Sequence, residues 1–254
     1  MEREHGAIDI AIGIILIPLT VFFGSFLLPE PEWDPTPRAE QGHVVFDPHY
    51  NFHPNNYTFN EKVAMGKQIS FISLVTDPQH LGTFPWLYRF ENRANIGNPA
   101  PAIDLPTTDG GRLRLADQRG KISVFMFVAL TCPPARHQLP LWTALANKYD
   151  PEKVNLFVIY SRERHPGEPG FREYVHTKDD EEKMVNAREL ATLTTLPVAV
   201  DSIEETVLEK YGKVPNPAYV IDTEGFIVFK STWADVRKVE EVVDTLLARD
   251  SQMH

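Results

Sequence analysis

The sequence predicts an α/β domain that follows a membrane-spanning segment and a long connector. From about Gly97 onward, short apolar runs alternate with amphipathic helical patterns, an order typical of a layered α/β structure. Before that point, residues 10–28 carry no charged side chain, and residues 29–96 are rich in proline and aromatic side chains. We therefore divide the chain into a tail at 1–9, a transmembrane helix at 10–28, a connector at 29–96 and the α/β domain at 97–254.

Residues 10–28 have the length and composition of a bilayer-spanning helix. Such a helix would be about 28 Å long, close to the thickness of the hydrocarbon core. A cleaved signal peptide is the alternative, but the run is long for one and Leu27–Glu30 is a poor cleavage site. We expect a single-pass anchor in the inner membrane. One arginine lies on each side of the span, Arg3 before it and Arg38 after it, so the distribution of positive charge does not determine the membrane orientation. The tail before the span is short and the domain after it is large, which suggests that the tail is cytoplasmic and the domain periplasmic.

The connector combines a stiff, proline-rich start with aromatic stretches at 44–59 and 83–90 and one expected short helix at 60–75. A flexible tether would contain glycine, serine or charge instead, so this segment is expected to pack on something. It could pack on the chain's own domain or dock onto a partner protein in a membrane complex.

Three connector histidines raise the question of a metal site, namely His43, His49 and His53. Their spacing fits no helix face, and no cysteine or carboxylate pattern accompanies them. We therefore expect no metal and no cofactor. The formal net charge of -10 argues against nucleic acid as a partner, because a basic face is the usual footprint of such proteins.

The first half of the α/β domain follows from turn and burial patterns. Asp109–Gly111 predicts a hairpin turn. The apolar run Lys121–Leu130 predicts a fully buried strand, the helical pattern after it extends to Tyr149, and Val154–Tyr160 predicts a second buried strand. A polar loop then leads towards the next helix.

The second half continues the alternation and closes with an antiparallel hairpin. A helix is predicted near Asp179–Leu193, then a short strand at Pro197–Val200 and a helix that Ser202 caps. The segments 218–222 and 226–230 flank a turn and predict a β-hairpin. A final amphipathic helix begins near Val236.

Cys132 is the only cysteine, and it lies where the first buried strand gives way to a helix. Unpaired N–H groups and the helix dipole at such a position favour the thiolate, which is the reactive form. Pro133 and Pro134 suit the first helical turn, which needs few N–H donors. The alternative is a small buried apolar residue at the end of a strand. With a single cysteine, the chain contains no internal disulfide.

The order of elements around Cys132 resembles the thioredoxin-like fold over about residues 97–249. Gly97-Asn-Pro-Ala-Pro101 is similar to the entry segment of redoxin domains, Pro140 lies where thioredoxins bend the first helix, and Pro215 lies where the family has a cis-proline. The resemblance implies a central mixed sheet with flanking helices. Thioredoxins have Cys-x-x-Cys, but Ala135 replaces the second cysteine here, so a self-contained dithiol cycle is excluded.

Four blocks of sequence motifs follow one another around and after Cys132. They are Thr131-Cys132-Pro133-Pro134, Tyr160-Ser-Arg-Glu163-Arg-His165-Pro166, Ala187-Arg-Glu-Leu190 with Pro197-Val-Ala-Val-Asp201, and Tyr211-Gly212 with Pro215 and Tyr219-Val-Ile221. Together and in this order they resemble the iodothyronine deiodinase family. The family has selenocysteine where this chain has Cys132.

The resemblance implies roles for individual residues. Cys132 would be the nucleophile that attacks a soft sulfur or halogen atom, and His165, oriented by Glu163, would donate a proton or bind substrate. Candidate substrate-binding residues are Thr131, Pro215 and His176. Arg136, one turn after the cysteine, could add a positive field.

Two functions remain open at this point. The first is a membrane-anchored one-cysteine redox enzyme that depends on an external thiol, and the intact Thr-Cys-Pro-Pro and Glu-x-His motifs favour it. The second is a non-catalytic accessory subunit of a respiratory or photosynthetic membrane complex, which the missing second thiol and the aromatic connector favour. We favour the first.

Overall fold

A computed structural model describes residues 94–168, 170–212, 216–231 and 234–253. The predicted tail, the predicted transmembrane helix and nearly all of the connector lie outside these ranges, as does Pro215. Within the described residues, no helix is both long enough and apolar enough to cross a bilayer.

The described ranges form seven strands and four α-helices. In chain order they are β1 (Asp104–Pro106), β2 (Arg112–Arg114), a 3-10 helix (Leu115–Gln118), β3 (Ile122–Val128), α1 (Pro133–Ala146), β4 (Val154–Tyr160), α2 (Asp180–Ala191), β5 (Val198–Val200), α3 (Thr206–Tyr211), β6 (Ala218–Ile221), β7 (Ile227–Ser231) and α4 (Val236–Met253).

Five strands form one mixed sheet in the order β5-β4-β3-β6-β7. The strands β3, β4 and β5 run parallel, whereas β6 pairs antiparallel with both β3 and β7. The hairpin of β1 and β2 attaches to the β5 edge through a bridge between Thr107 and Ala199. The α/β architecture and the mixed sheet predicted from the sequence are confirmed.

The central strand β3 is buried along its whole length because helices or loops cover both faces of the sheet. Val124, Met126 and Val128 lie in the apolar cluster that includes Trp142 of α1. Phe125 lies in the cluster on the opposite face, where its ring stacks on Phe157 at 5.1 Å between centroids. The continuous apolar run in the sequence therefore reflects burial on two sides.

The strand–helix junction after β3 places Cys132 at the carboxyl edge of the parallel strands. Cys132 is the N-cap of α1, and Pro133 and Pro134 occupy the first helical positions, where a missing N–H costs nothing. The loop after β4 reaches the same edge, because β3 and β4 pair in parallel from Ile122–Val154 to Val128–Tyr160. This register brings residues 161–165 beside the cysteine.

The helix expected from Ser202 begins later, at Thr206, and the predicted Ser202 cap is wrong. The Asp201 carboxylate accepts the backbone N–H groups of Val207 and Leu208 at 3.1 and 2.8 Å. A buried carboxylate is the stronger acceptor, whereas the Ser202 hydroxyl lies 3.4 Å from the Thr206 nitrogen. Glu205, just before the helix, has a left-handed backbone with φ of 57°.

Candidate thiol site at the amino end of α1

Cys132 is enclosed by the fold. The residue is only 1% exposed, and its backbone N–H donates to the Ala129 carbonyl at 3.2 Å. Its own carbonyl accepts the Arg136 N–H at 3.0 Å, which begins the helical hydrogen-bond pattern. The expected position at the start of the helix is therefore confirmed, but the sulfur is buried.

The sequence-based expectation of a thiolate is wrong for this buried conformation. Burial raises the pKa of the Cys132 thiol to about 11, because a charged sulfur would lose its hydration. The Ala135 backbone N–H and the charge of Arg164 lower this pKa but do not compensate, and the Glu163 charge raises it further. The helix terminus acts in the predicted direction, yet desolvation is the larger effect.

Thr131 and Glu163 form a buried clamp next to the cysteine. The Glu163 Oε2 atom accepts the Thr131 backbone N–H at 2.7 Å and the Thr131 hydroxyl at 2.5 Å. Both residues are almost completely buried, with Glu163 2% exposed. These two hydrogen bonds attach the loop after β4 to the residue that precedes Cys132.

The Thr131 hydroxyl also accepts two hydrogen bonds from the same loop. The backbone N–H groups of Arg164 and His165 each lie 3.1 Å from the Thr131 oxygen. A hydroxyl has one donor and two acceptor positions, and all three are used here. Thr131 therefore positions the loop, and its hydroxyl is not available for the substrate contact that we predicted.

Glu163 is a buried carboxyl group whose two oxygens have different surroundings. Burial raises its pKa above the ordinary carboxyl range, although the N–H groups of Thr131 and Leu130 lower it. Its Oε1 atom is buried and, among the described residues, has no hydrogen-bond partner. The carboxyl is therefore held by one oxygen while the other is unpaired.

His165 joins this group through its backbone, but Glu163 does not orient its ring. The imidazole Nδ1 atom lies 3.1 Å from Glu168 Oε1, so Glu168 is the carboxylate that orients the ring. The predicted Glu163–His165 orientation is therefore wrong. The cause is that Glu163 Oε2 already accepts hydrogen bonds from Thr131. The chain turns after His165, and this turn places the Glu168 carboxylate beside the imidazole ring.

Two other predicted residues lie apart from this group. His176 is exposed in the loop before α2, and the hydrogen bonds that join Thr131, Glu163 and His165 do not include it. Pro215 lies outside the described residues. The neighbouring Asn216 is anchored to the central strand, because its Nδ2 donates to the Phe127 carbonyl at 2.6 Å.

The cation whose charge acts on Cys132 is not the one that we predicted. The Arg136 guanidinium lies 5.6 Å from the centroid of the buried Phe171 ring, so it packs on the loop. Arg164 is the cation whose charge lowers the pKa of Cys132, and its Nη2 atom lies 3.4 Å from Glu205 Oε1. No pattern in the sequence indicates a role for Glu168, Glu205 or Arg164, although Arg164 lies between Glu163 and His165.

No cluster of three or more potential metal ligands occurs in the parts of the chain that the structure describes. The connector histidines considered above lie outside those parts.

A five-stranded mixed sheet with a cysteine at the start of α1 defines a thioredoxin-like α/β protein. The AhpC/TSA family matches residues 96–230, just over half of the chain, and the protein belongs to that family. The family assignment confirms the fold predicted from the sequence.

Known relatives agree with this assignment. The chain is 24% identical over 139 residues to the thiol-disulfide oxidoreductase ResA of Bacillus thuringiensis subsp. konkukian strain 97-27. The matched residues make up 54% of this chain and 70% of that protein. ResA of Bacillus cereus strain ATCC 10987 / NRS 248 gives the same values. A solved structure of an uncharacterized conserved protein from Geobacillus kaustophilus has a TM-score of 0.50 and 23% identity, covering 62% of this chain and 84% of that one. The protein is therefore related to thiol-disulfide oxidoreductases, and the deiodinase resemblance stays a prediction.

Proposed function

We propose that this protein is a membrane-anchored, one-cysteine redox protein of deiodinase-like type, with Cys132 as the reacting atom and an external thiol as reductant. The observation that carries the proposal is the clamp beside Cys132, in which Glu163 binds Thr131 through one buried oxygen and leaves the other unpaired. A structural carboxylate would be expected to satisfy both oxygens. An unpaired buried oxygen near a protonated thiol suits proton exchange.

The reaction with a disulfide substrate has two balanced steps. In the first, Glu163 accepts the Cys132 proton, the sulfur attacks one substrate sulfur, and the substrate S–S bond breaks. A mixed disulfide forms on Cys132, and the departing thiolate takes the proton back from Glu163. In the second, the external thiol gives up its proton and attacks the substrate sulfur of the mixed disulfide, Cys132 leaves and takes that proton, and the mixed disulfide of substrate and external thiol is released.

A halogenated substrate would use the same sulfur and the same reductant. Cys132 thiolate takes the halogen as a sulfenyl halide while the substrate carbon gains a proton, so the substrate is reduced and the sulfur is oxidised. One external thiol then displaces halide to form a mixed disulfide, and a second releases Cys132 and the oxidised reductant. In both reactions we assign His165, with its ring oriented by Glu168, to substrate binding or protonation.

Trapping of the covalent intermediate tests this proposal. The full chain in mild detergent is incubated with a small disulfide at mildly alkaline pH and quenched in acid. The mass of the intact protein is then measured by mass spectrometry. We expect one adduct per chain, located at Cys132 by peptide mass and removed by added thiol. The matched control is Cys132→Ser, which differs by one atom and should gain no mass.

The outcome that overturns the proposal is absence of any adduct on the folded protein when the same sample, denatured, is modified completely. An iodinated phenol supplied with excess thiol separates the two substrate classes. Free iodide that is released by the wild type and not by Cys132→Ser supports the deiodinase-like type, whereas adduct formation without iodide leaves disulfide exchange as the reaction.

One observation favours a second candidate function, that of a non-catalytic accessory subunit. Cys132 is buried with its pKa raised to about 11, and the chain contains no second cysteine. In this alternative, residues 10–28 anchor the chain in the lipid bilayer and residues 29–96 dock onto a respiratory or photosynthetic membrane complex. The sequence patterns of both segments support it.

Purification in mild detergent tests the alternative. A deletion of residues 29–93 that retains the anchor and the α/β domain should lose the co-purifying subunits if the connector is the docking segment. Unchanged co-purification contradicts docking through the connector. We propose the same single-pass inner-membrane location, with a periplasmic domain, for both functions.

A further inference from the structure

Arg164 lies in the loop after β4, between Glu163 and His165, where the loop backbone is bonded to the Thr131 hydroxyl. We propose that Arg164 is a positioning residue for the chemistry of Cys132: its guanidinium, held by Glu205, supplies the positive charge that stabilises negative charge on the sulfur. This inference rests on the proposed function for its biological meaning. The electrostatic effect on Cys132 can nevertheless be measured without any turnover.

The backbone of Arg164 is fixed next to the cysteine. Its N–H donates to the Thr131 hydroxyl at 3.1 Å, and the same hydroxyl is bonded to Glu163. The side chain is 22% exposed, so most of it is enclosed. A cation in such a place is less screened by water than one on the surface, and its field on a neighbouring sulfur is correspondingly stronger.

The guanidinium of Arg164 is held by Glu205, the residue that precedes α3. Its Oε1 atom lies 3.4 Å from Arg164 Nη2 and also accepts the Arg162 backbone N–H at 2.8 Å. The Glu205 side chain is only 8% exposed, and its backbone has the left-handed conformation that disfavours most side chains. Glu205 therefore holds the loop at two points, namely the Arg162 backbone N–H and the Arg164 guanidinium.

A second positive group, the buried Lys183, also interacts with the Glu205 carboxylate. Lys183 of α2 donates to the Ser202 carbonyl at 2.7 Å and is attracted by Glu205 and Asp201. Glu205 is thus shared between positive groups on the two sides of it.

The Nε atom of Arg164 supports a role beyond this ion pair. It is buried and, in the described part of the chain, has no hydrogen-bond partner. A buried donor that is left unpaired is costly. The cost is recovered if negative charge appears nearby during the reaction, as it does when the Cys132 proton leaves or a thiolate departs.

The other charged groups around Cys132 do not replace Arg164. On the loop after β4, the Glu163 charge raises the pKa of the thiol, whereas the Arg164 charge lowers it. On α1, Arg136 packs over Phe171. Arg162 is 47% exposed and lies 4.0 Å from Glu205, which makes it a matched control on the same loop.

The test is the second-order rate of Cys132 alkylation by iodoacetamide, a neutral reagent, in the folded full chain between pH 7 and pH 9. We expect Arg164→Gln to slow alkylation about tenfold at each pH, because loss of a positive charge disfavours the thiolate, which is the form that reacts. Arg164→Lys should recover part of the rate, and Arg162→Gln should match the wild type.

The direction of the change separates an electrostatic role from a structural one. A loop that was merely loosened by Arg164→Gln would expose the sulfur and speed alkylation. Equal or faster alkylation in Arg164→Gln, or equal slowing in Arg162→Gln, overturns the inference. If the rates change as expected but no mixed disulfide forms with a substrate, the proposed function fails while the role of Arg164 stands.

Discussion

Replacement of Glu163 by glutamine is expected to reduce thiol-dependent turnover about 100-fold, the lower range for loss of a general acid–base group. The amide preserves the shape of the side chain and can still accept from Thr131 through one oxygen. It cannot take the Cys132 proton or return one to the departing thiolate. Turnover is measured as release of the substrate thiol in the presence of excess reductant.

Alkylation of the same variant should change in the opposite direction. The Glu163 charge raises the pKa of the Cys132 thiol, so its removal favours the thiolate and should leave alkylation as fast as in the wild type or faster. Glu181→Gln, an identical change at an exposed position of α2, is the matched control and should have wild-type turnover. Unchanged turnover in Glu163→Gln would show that Glu163 holds Thr131 and does no more.

Replacement of Trp142 by alanine is expected to lower the free energy of unfolding by about 4 kcal/mol, as for other large-to-small changes in a core. Trp142 is completely buried on α1 and packs in the apolar cluster that contains the inward side chains of β3. Alanine leaves a cavity under α1, the helix whose N-cap is Cys132. Denaturant unfolding monitored by circular dichroism gives the value.

Trp142→Phe is the matched control for this change. Within the described residues the indole Nε1 has no hydrogen-bond partner, so phenylalanine loses volume but no hydrogen bond. We expect a cost of about 1 kcal/mol, typical of a modest change in core volume. A phenylalanine variant as unstable as the alanine variant would mean that the indole N–H, and not its packing, stabilises α1.

Local patterns in the sequence were sufficient to predict most of the fold. The apolar run over Ile122–Val128 indicated a strand buried on both faces, and the β1–β2 turn at Asp109–Gly111 was confirmed, with Gly110 at a φ of 90°. These features depend on residues that are close together in the chain. The position of Cys132 at the junction of strand and helix was predictable for the same reason.

The electrostatics of the site depend on residues that are distant in the chain, and here local rules failed. A helix terminus indicates the direction in which backbone N–H groups move the pKa of Cys132, but not how completely the sulfur is buried. The partners Thr131 and Glu163 are 32 positions apart, and Arg164 and Glu205 are 41 positions apart. No spacing in the sequence joins them.

The pH dependence of Cys132 alkylation in the folded protein tests the central claim most directly, namely that this buried thiol reacts without unfolding. Burial raises its pKa to about 11, so the thiolate fraction increases as pH rises towards that value. We predict that the iodoacetamide rate increases about tenfold per pH unit from pH 7 to pH 10, because only the thiolate reacts. A rate that equals the independently measured unfolding rate, whatever the reagent concentration, would contradict the claim and leave Cys132 as a residue of the core.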